Sequence, residues 1–455
     1  MPNGSHEDSP PVAAVQKLID TAKTLHRQGR TSDAEKSLHA VLRIDPGQVE
    51  ALHGLGAICL QSGRPAEAID WLQKAATGER ASAEVLSVLG MALSQAKRFE
   101  EAIEVYKKLV AIPPPSLQAL NNLGYILSML GRHEEALPYL HQGAVLEPNS
   151  IQTNANLSIV LMALDRPAEA LACHAKIVAA NPRLPEPICN LALTLSELGR
   201  DEEAAVQFEK ALALKPDFVL ALNGLGSALH KLGRHDQALR RLERAIALAP
   251  GLAVARYNCG QVLAKLNRHE EAVGQYRRAV AIDPGSAVVF NDLGISLTAL
   301  GRHREAVVEF EKALDILPGL TPARHNLANA LNNLGLALIR LGRYEQAALE
   351  FERALQVLPE FTLANYSLGE ALSSLGRPEE ALAVYEKVAA ANPGDALAYL
   401  GIGDTRRYMG QIKDAREAYE RAIALAPRSP VCYRSLADIW RFEENDPRLA
   451  AMEEL

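Results

Sequence analysis

Prolines 46, 114, 148, 182, 216, 250, 284 and 318 lie at multiples of 34 residues from one another, and Pro359, Pro393 and Pro427 resume that spacing after a single jump of seven. A fixed period of this length constrains the fold more than any local motif. A unit of 34 residues cannot bury its own apolar face, so copies must stack into one continuous core. With each proline at position 32 of a unit, position 20 is Ala in all twelve units, from Ala34 to Ala415. Position 8 is always small: Gly in nine units, and Ala22, Ser158 and Ala192 in the rest. Two small residues at fixed places predict close approach of neighbouring helices.

Within each unit the apolar residues recur at helical spacing twice. Leu120, Leu123 and Leu127 mark a first helix, and Ala204, Phe208 and Ala211 mark a second. Between them stands "LGR" or a close variant. Gly131, Gly199, Gly233, Gly301, Gly342 and Gly376 occupy the site where a helix end wants a left-handed residue. Acidic residues such as Glu134 and Glu135 follow, in the first turn of the second helix, where the helix dipole favours them. The pattern predicts an all-α chain of paired helices: an N-terminal segment 1–14 without structure, twelve units over 15–429, and a degenerate thirteenth over 430–455.

The pattern resembles that of the tetratricopeptide repeat family. The resemblance implies a right-handed α-solenoid, a superhelix of about twelve to thirteen units. It also implies that the first helix of each unit lines a concave surface through positions 2, 5, 6, 9, 12 and 13.

The seven-residue jump has a local cause. "HNLANAL" at His325–Leu331 is followed by "NNLGLAL" at Asn332–Leu338, so the first helix of unit ten is written twice over 325–338. Seven residues are nearly two helical turns, so the apolar stripe drifts by only about 20° and the helix lengthens by about 10 Å. The extension is either a neutral duplication that keeps phase or a ledge interrupting the concave face.

Charge and composition exclude several classes. The net charge of −7 comes from interspersed acids and bases, without the basic stripe that would neutralise phosphates, so nucleic acid is not the expected partner. Five cysteines, with no CxxC pair, read as buried hydrophobes in a reducing setting. A polar N-terminus and the lack of any long uncharged apolar run point away from membranes and toward the cytoplasm.

Nothing in the sequence forms a catalytic constellation, so no enzyme activity and no cofactor are expected. His133, His235, His269 and His303 share position 17, but packed helices stand about 8–10 Å apart and would not bring them to one metal ion. "HEEAL" and "HEEAV" put Leu137 and Val273 where HExxH needs its second histidine. His174, at apolar position 24, reads as a satisfied core histidine.

The functional signal is a run of side-chain amides. Position 6 carries Asn122, Asn156, Asn190, Asn258, Asp292 and Asn333, while Asn121, Asn223 and Asn291 stand at position 5. Asn costs about 0.6 kcal/mol against Ala in a helix, so helix stability does not explain the recurrence. An amide offers both donor and acceptor and can pair with a peptide backbone of any sequence. The ladder is similar to that in the repeat superhelix of O-linked N-acetylglucosamine transferases, which implies a groove for extended polypeptide. Bridging between repeats, or copying of one ancestral unit, would also produce it. The Lys of the family's carboxylate clamp is absent, since position 5 of the first three units holds Ile19, His53 and Ser87.

The expected function is a protein interaction scaffold that binds an extended polypeptide. The alternative is the substrate-recognition region of a protein-modifying transferase whose catalytic domain is elsewhere. That alternative is suggested by "LADIWRFEENDPRLAAMEEL" at 436–455, which is similar to the segment following the repeats in bacterial tetratricopeptide repeat sulfotransferases. The apolar residues Leu449, Met452 and Leu455 predict a join at this end, covered by further polypeptide or by a second copy of the chain.

Overall fold

The computed structural model describes residues 10–77, 81–442, 448 and 452. Among these, every regular element is an α-helix, twenty-five in all, and the chain is an α-solenoid of helix pairs. First helices begin at Val49, Ala83, Leu117, Ile151, Pro185, Val219, Ala253, Ala287, Thr321, Thr362, Ala396 and Pro430, which is position 1 of the predicted unit in every case. Second helices begin at position 17, from Thr31 to Ile412.

The local chemistry explains these boundaries. Several first helices start behind a side-chain cap: Ser82, Ser116, Ser150 and Asp395 each accept a hydrogen bond from a backbone N–H in the first turn. The turn between the two helices needs φ > 0, and glycines supply it at about 70–76°, as at Gly131, Gly233 and Gly410. Lys97, Asp165 and Asn267 take the same left-handed conformation, at φ 59°, 55° and 57°. For Lys97 that is strain, because its Cβ crowds the carbonyl. Second helices lack side-chain caps; before nine of the twelve, an arginine instead grips the acid of the first turn. Arg132 Nε donates to Glu135 at 2.7 Å, and its guanidinium reaches back to Glu100 of the preceding unit at 3.0 Å. Such half-exposed pairs are screened by solvent and add little to stability individually.

The core explains the small residues. Ala at position 20 is fully buried in every unit. Position 8 is held small by the side chain at position 24 of the same unit. A Cβ added to Gly124 would lie 2.4 Å from Leu140 Cγ, one on Gly294 2.6 Å from Phe310 Cε1, and one on Gly403 2.4 Å from Tyr419 Cε1. Glycine here permits the approach, and position 24 supplies the bulk.

The chain divides into two compact units, Met1–Gly224 and Leu225–Leu455. The long first helix of unit ten, Thr321–Arg340, has 20 residues against 13 for its neighbours, as the doubled heptad predicts. The N-terminal boundary needs correcting. The first helix runs from Pro10, so Pro10–Ala14 is helical where an unstructured segment was expected, and residues 1–9 lie outside the described residues. In unit thirteen the helix Pro430–Ala437 is present, with Tyr433 and Leu436 buried against the preceding helix pair. The expected second helix from Pro447 lies outside the described residues, apart from Arg448, which pairs with Glu420 at 2.9 Å, and Met452. All five cysteines are free and buried.

Candidate functional site

The side chain at position 24 also decides what stands at position 6 of the next unit. Gly224 faces Phe208, and a Cβ there would lie 2.4 Å from Cζ; Gly401 faces Tyr385 in the same way at 2.5 Å. Asn122 instead donates from Nδ2 to the Tyr106 hydroxyl at 3.1 Å. Position 6 is thus the upper surface of the core, and its residue answers to the ring beneath.

This divides the nine predicted groove residues. The position-5 asparagines are buried: Asn121 is 4% exposed, Asn223 9% and Asn291 7%. Asn121 Nδ2 donates to Thr153 Oγ1 of the next unit at 2.9 Å, and Asn291 Oδ1 accepts from Asn326 Nδ2 of the next unit at 3.0 Å. Through these bonds Asn121 and Asn291 fasten neighbouring units together, and Asn223 is buried at the same position. Asn223 and Asn258 are also engaged. The Asp292 carboxylate accepts from the Tyr257 hydroxyl at 3.0 Å, from Gln261 at 3.4 Å and from Asn291 at 3.2 Å. Burial and the neighbouring Asp292 carboxylate push the Tyr257 phenol up, so it stays a donor.

Asn156, Asn190 and Asn333 remain. Asn156 and Asn333 are half-buried and Asn190 is exposed, and no described residue hydrogen-bonds to their side chains. Asn156 and Asn190 stand on the first helices of adjacent units. Beside Asn190 is a cleft of ≈ 440 Å³ walled by Ile159, Met162 and Leu193, with His174 and Glu186 among its polar residues. His174 is a core residue as predicted, 8% exposed, but not a satisfied one: its Nδ1 is buried without a partner. Burial pushes its imidazole below the ordinary histidine range.

Sequence reasoning missed the apolar part of this face. Ile159 is 58% exposed at position 9, and a regular row stands at position 2 in the second compact unit: Val254, Val288, Leu363, Leu397 and Val431 are 45–57% exposed. In units one to six of the first compact unit the same register holds only Gln or Glu, from Gln16 to Glu186, all exposed. The alternation was readable from the register alone, since apolar residues recur at one site outside the core set.

Among the described residues no group of three His, Cys, Asp or Glu side chains is placed to hold a metal ion. No described helix is long and apolar enough to cross a membrane.

Sequence profiles of the tetratricopeptide repeat match residues 25–91 and 60–123, 116–144, 192–233, 217–285 and 285–360, 332–396, and 396–429. The chain belongs to the tetratricopeptide repeat family. Its class is that of a protein interaction scaffold built from repeats. No curated protein matches this tetratricopeptide repeat chain. Among solved structures it is similar to YrrB, described as a TPR protein with an unusual peptide-binding site, at 25% identity over 42% of this chain and 95% of that one, with a TM-score of 0.36. TTC0263, a thermophilic TPR protein of Thermus thermophilus, is 26% identical over 40% of this chain and 99% of that one, with a TM-score of 0.36. The APC/C hetero-tetramer Cut9–Hcn1 aligns over 95% of this chain and 97% of its own at 13% identity, with a TM-score of 0.32.

Proposed function

We propose that this tetratricopeptide repeat protein is a scaffold without catalytic activity of its own, which holds an extended polypeptide against the first helices of its units. The observation that carries the reading is the pair of unengaged amides, Asn156 and Asn190, at the same register on adjacent units, with Asn190 lining the apolar cleft. An amide at that place can donate to a peptide carbonyl and accept from a peptide N–H together, and neither bond depends on the peptide's sequence. The apolar row from Val254 to Val431 supports a second stretch of contact, in which peptide side chains rather than backbone supply the adhesion. Asn333 is the matching amide in that compact unit. The five unpaired, buried cysteines support a cytoplasmic setting.

Replacing Asn156 and Asn190 together with Ala tests the reading. Each lost amide contact is worth about 1 kcal/mol, or about fivefold in affinity. Binding of peptides of unrelated sequence should therefore weaken by a similar factor of about 10–25, with the helical circular dichroism unchanged. Unaltered affinity across the panel, or loss confined to one peptide, would contradict it.

A further inference from the structure

In the first compact unit a pocket of ≈ 310 Å³ opens on the first helices of units one and two. Its floor is apolar, with Ile19, Leu38 and Ile58; its walls carry Lys23, His26, Glu50, His53 and Glu84. Position 6 is Gly54 here, and a Cβ at that place would stand 3.0 Å from Leu38, so the pocket occupies the space that a position-6 side chain would fill.

The polar groups are unbalanced. Lys23 is spent on Glu50, with Nζ 2.5 Å from Oε1. Glu84, one unit further on at the same position 2, has no ion pair among the described residues. His26 Nδ1 and His53 Nε2 are buried ring nitrogens without hydrogen-bond partners. With each orphaned nitrogen in its unprotonated tautomer, the walls hold two unpaired acceptors and the Glu84 charge, with Lys23 already committed, above an apolar floor. A complementary ligand has an aliphatic stem, a positive charge and several N–H donors. Arginine meets all three conditions: its stem lies on apolar surface while a fork of five N–H donors serves acceptors set at different angles.

We propose that this pocket takes an arginine side chain of the polypeptide held on the first-helix face, a step that rests on the scaffold reading above. The pocket would fix where along the face a bound chain begins its register, a specificity that backbone-reading amides cannot provide.

The test titrates the full chain with N-acetyl-arginine N-methylamide and with its citrulline counterpart, which has the same shape without the charge. The readout is the imidazole NMR signals of His26 and His53. The arginine probe should shift both signals saturably. The citrulline probe should bind about tenfold more weakly, the ratio expected for loss of a charge-assisted hydrogen bond. Glu84→Gln, a change at an exposed side chain, should bring arginine to the citrulline level. Equal binding of the two probes, tighter binding of an N-acetyl-glutamate probe, or no response to arginine would each overturn the proposal. Failure here with peptide binding still dependent on Asn156 and Asn190 would leave the scaffold reading intact. The reverse result would separate the two the other way.

Discussion

The contact between position 8 and position 24 can be tested by one substitution made at two glycines. Gly294 and Gly274 are both helical; a Cβ on Gly274 meets nothing within 4 Å, whereas one on Gly294 would lie 2.6, 2.7 and 2.8 Å from three atoms of the Phe310 ring. Carbon atoms in contact prefer separations of about 3.5–4.0 Å, so the ring would have to retreat by about 1 Å. Phe310 is 1% exposed, and interiors are packed closely enough that such a retreat must displace its neighbours. Gly→Ala inside a helix gains about 1 kcal/mol from backbone propensity alone. Overpacking a filled core costs about 1–3 kcal/mol. Gly274→Ala should therefore stabilise by about 1 kcal/mol, while Gly294→Ala should be between neutral and about 2 kcal/mol destabilising once the same propensity gain is subtracted. In a Phe310→Ala background the space is vacated, and Gly294→Ala should become stabilising. Repeat arrays open locally, so the assay is hydrogen exchange of the amides of Ala287–Ala299 and His303–Ile316, supported by urea unfolding. Equal stabilisation by both single substitutions would refute the steric account of the small residue at position 8.

Two further outcomes follow from strain and from burial. Lys97→Gly should raise stability by about 0.5–1 kcal/mol in urea unfolding, because relief of the left-handed Lys exceeds the entropy that glycine loses; Asn267→Gly, where the side chain tolerates that conformation, should change less. His230 stands against His235, with ring centroids 5.1 Å apart, and burial, then His235 and Lys265, hold it below its ordinary value of 6.5. The unfolded chain therefore takes up the proton first, so this contribution to stability is complete above pH 6.5 and is lost as the pH falls through 6.5 toward the lower folded value. Urea midpoints between about pH 8 and about pH 5 should fall less steeply for His230→Gln than for the parent chain.

Helix boundaries were legible because each rests on chemistry within a few residues of itself. The proline at position 32, the turn glycine and the acids behind it mark where one helix must stop and the next can start, and the doubled heptad keeps phase for the same reason. The division of the amides was not legible. Asn121 and Asn122 are neighbours of one type, yet the first is bonded to Thr153 in the next unit and the second to Tyr106 in the previous one. That outcome depends on residues 32 and 16 positions away, which no local pattern encodes. His174 was placed in the core by its position in the unit, but its orphaned nitrogen follows from what surrounds it in space. The start at Pro10 is not legible in the repeat register, which fixes position 1 at residue 15 and carries no signal for the residues before it.

The central claim is that unengaged position-6 amides hold polypeptide backbone. Its most direct measurement is the NMR response of the asparagine side-chain NH₂ groups as peptides of unrelated sequence are added. The account predicts that the Asn156 and Asn190 signals move with every peptide that binds, while the buried Asn121 signal, committed to Thr153, stays in place. Movement of neither Asn156 nor Asn190 under saturating peptide, or a response that appears with one sequence and not the others, would contradict it.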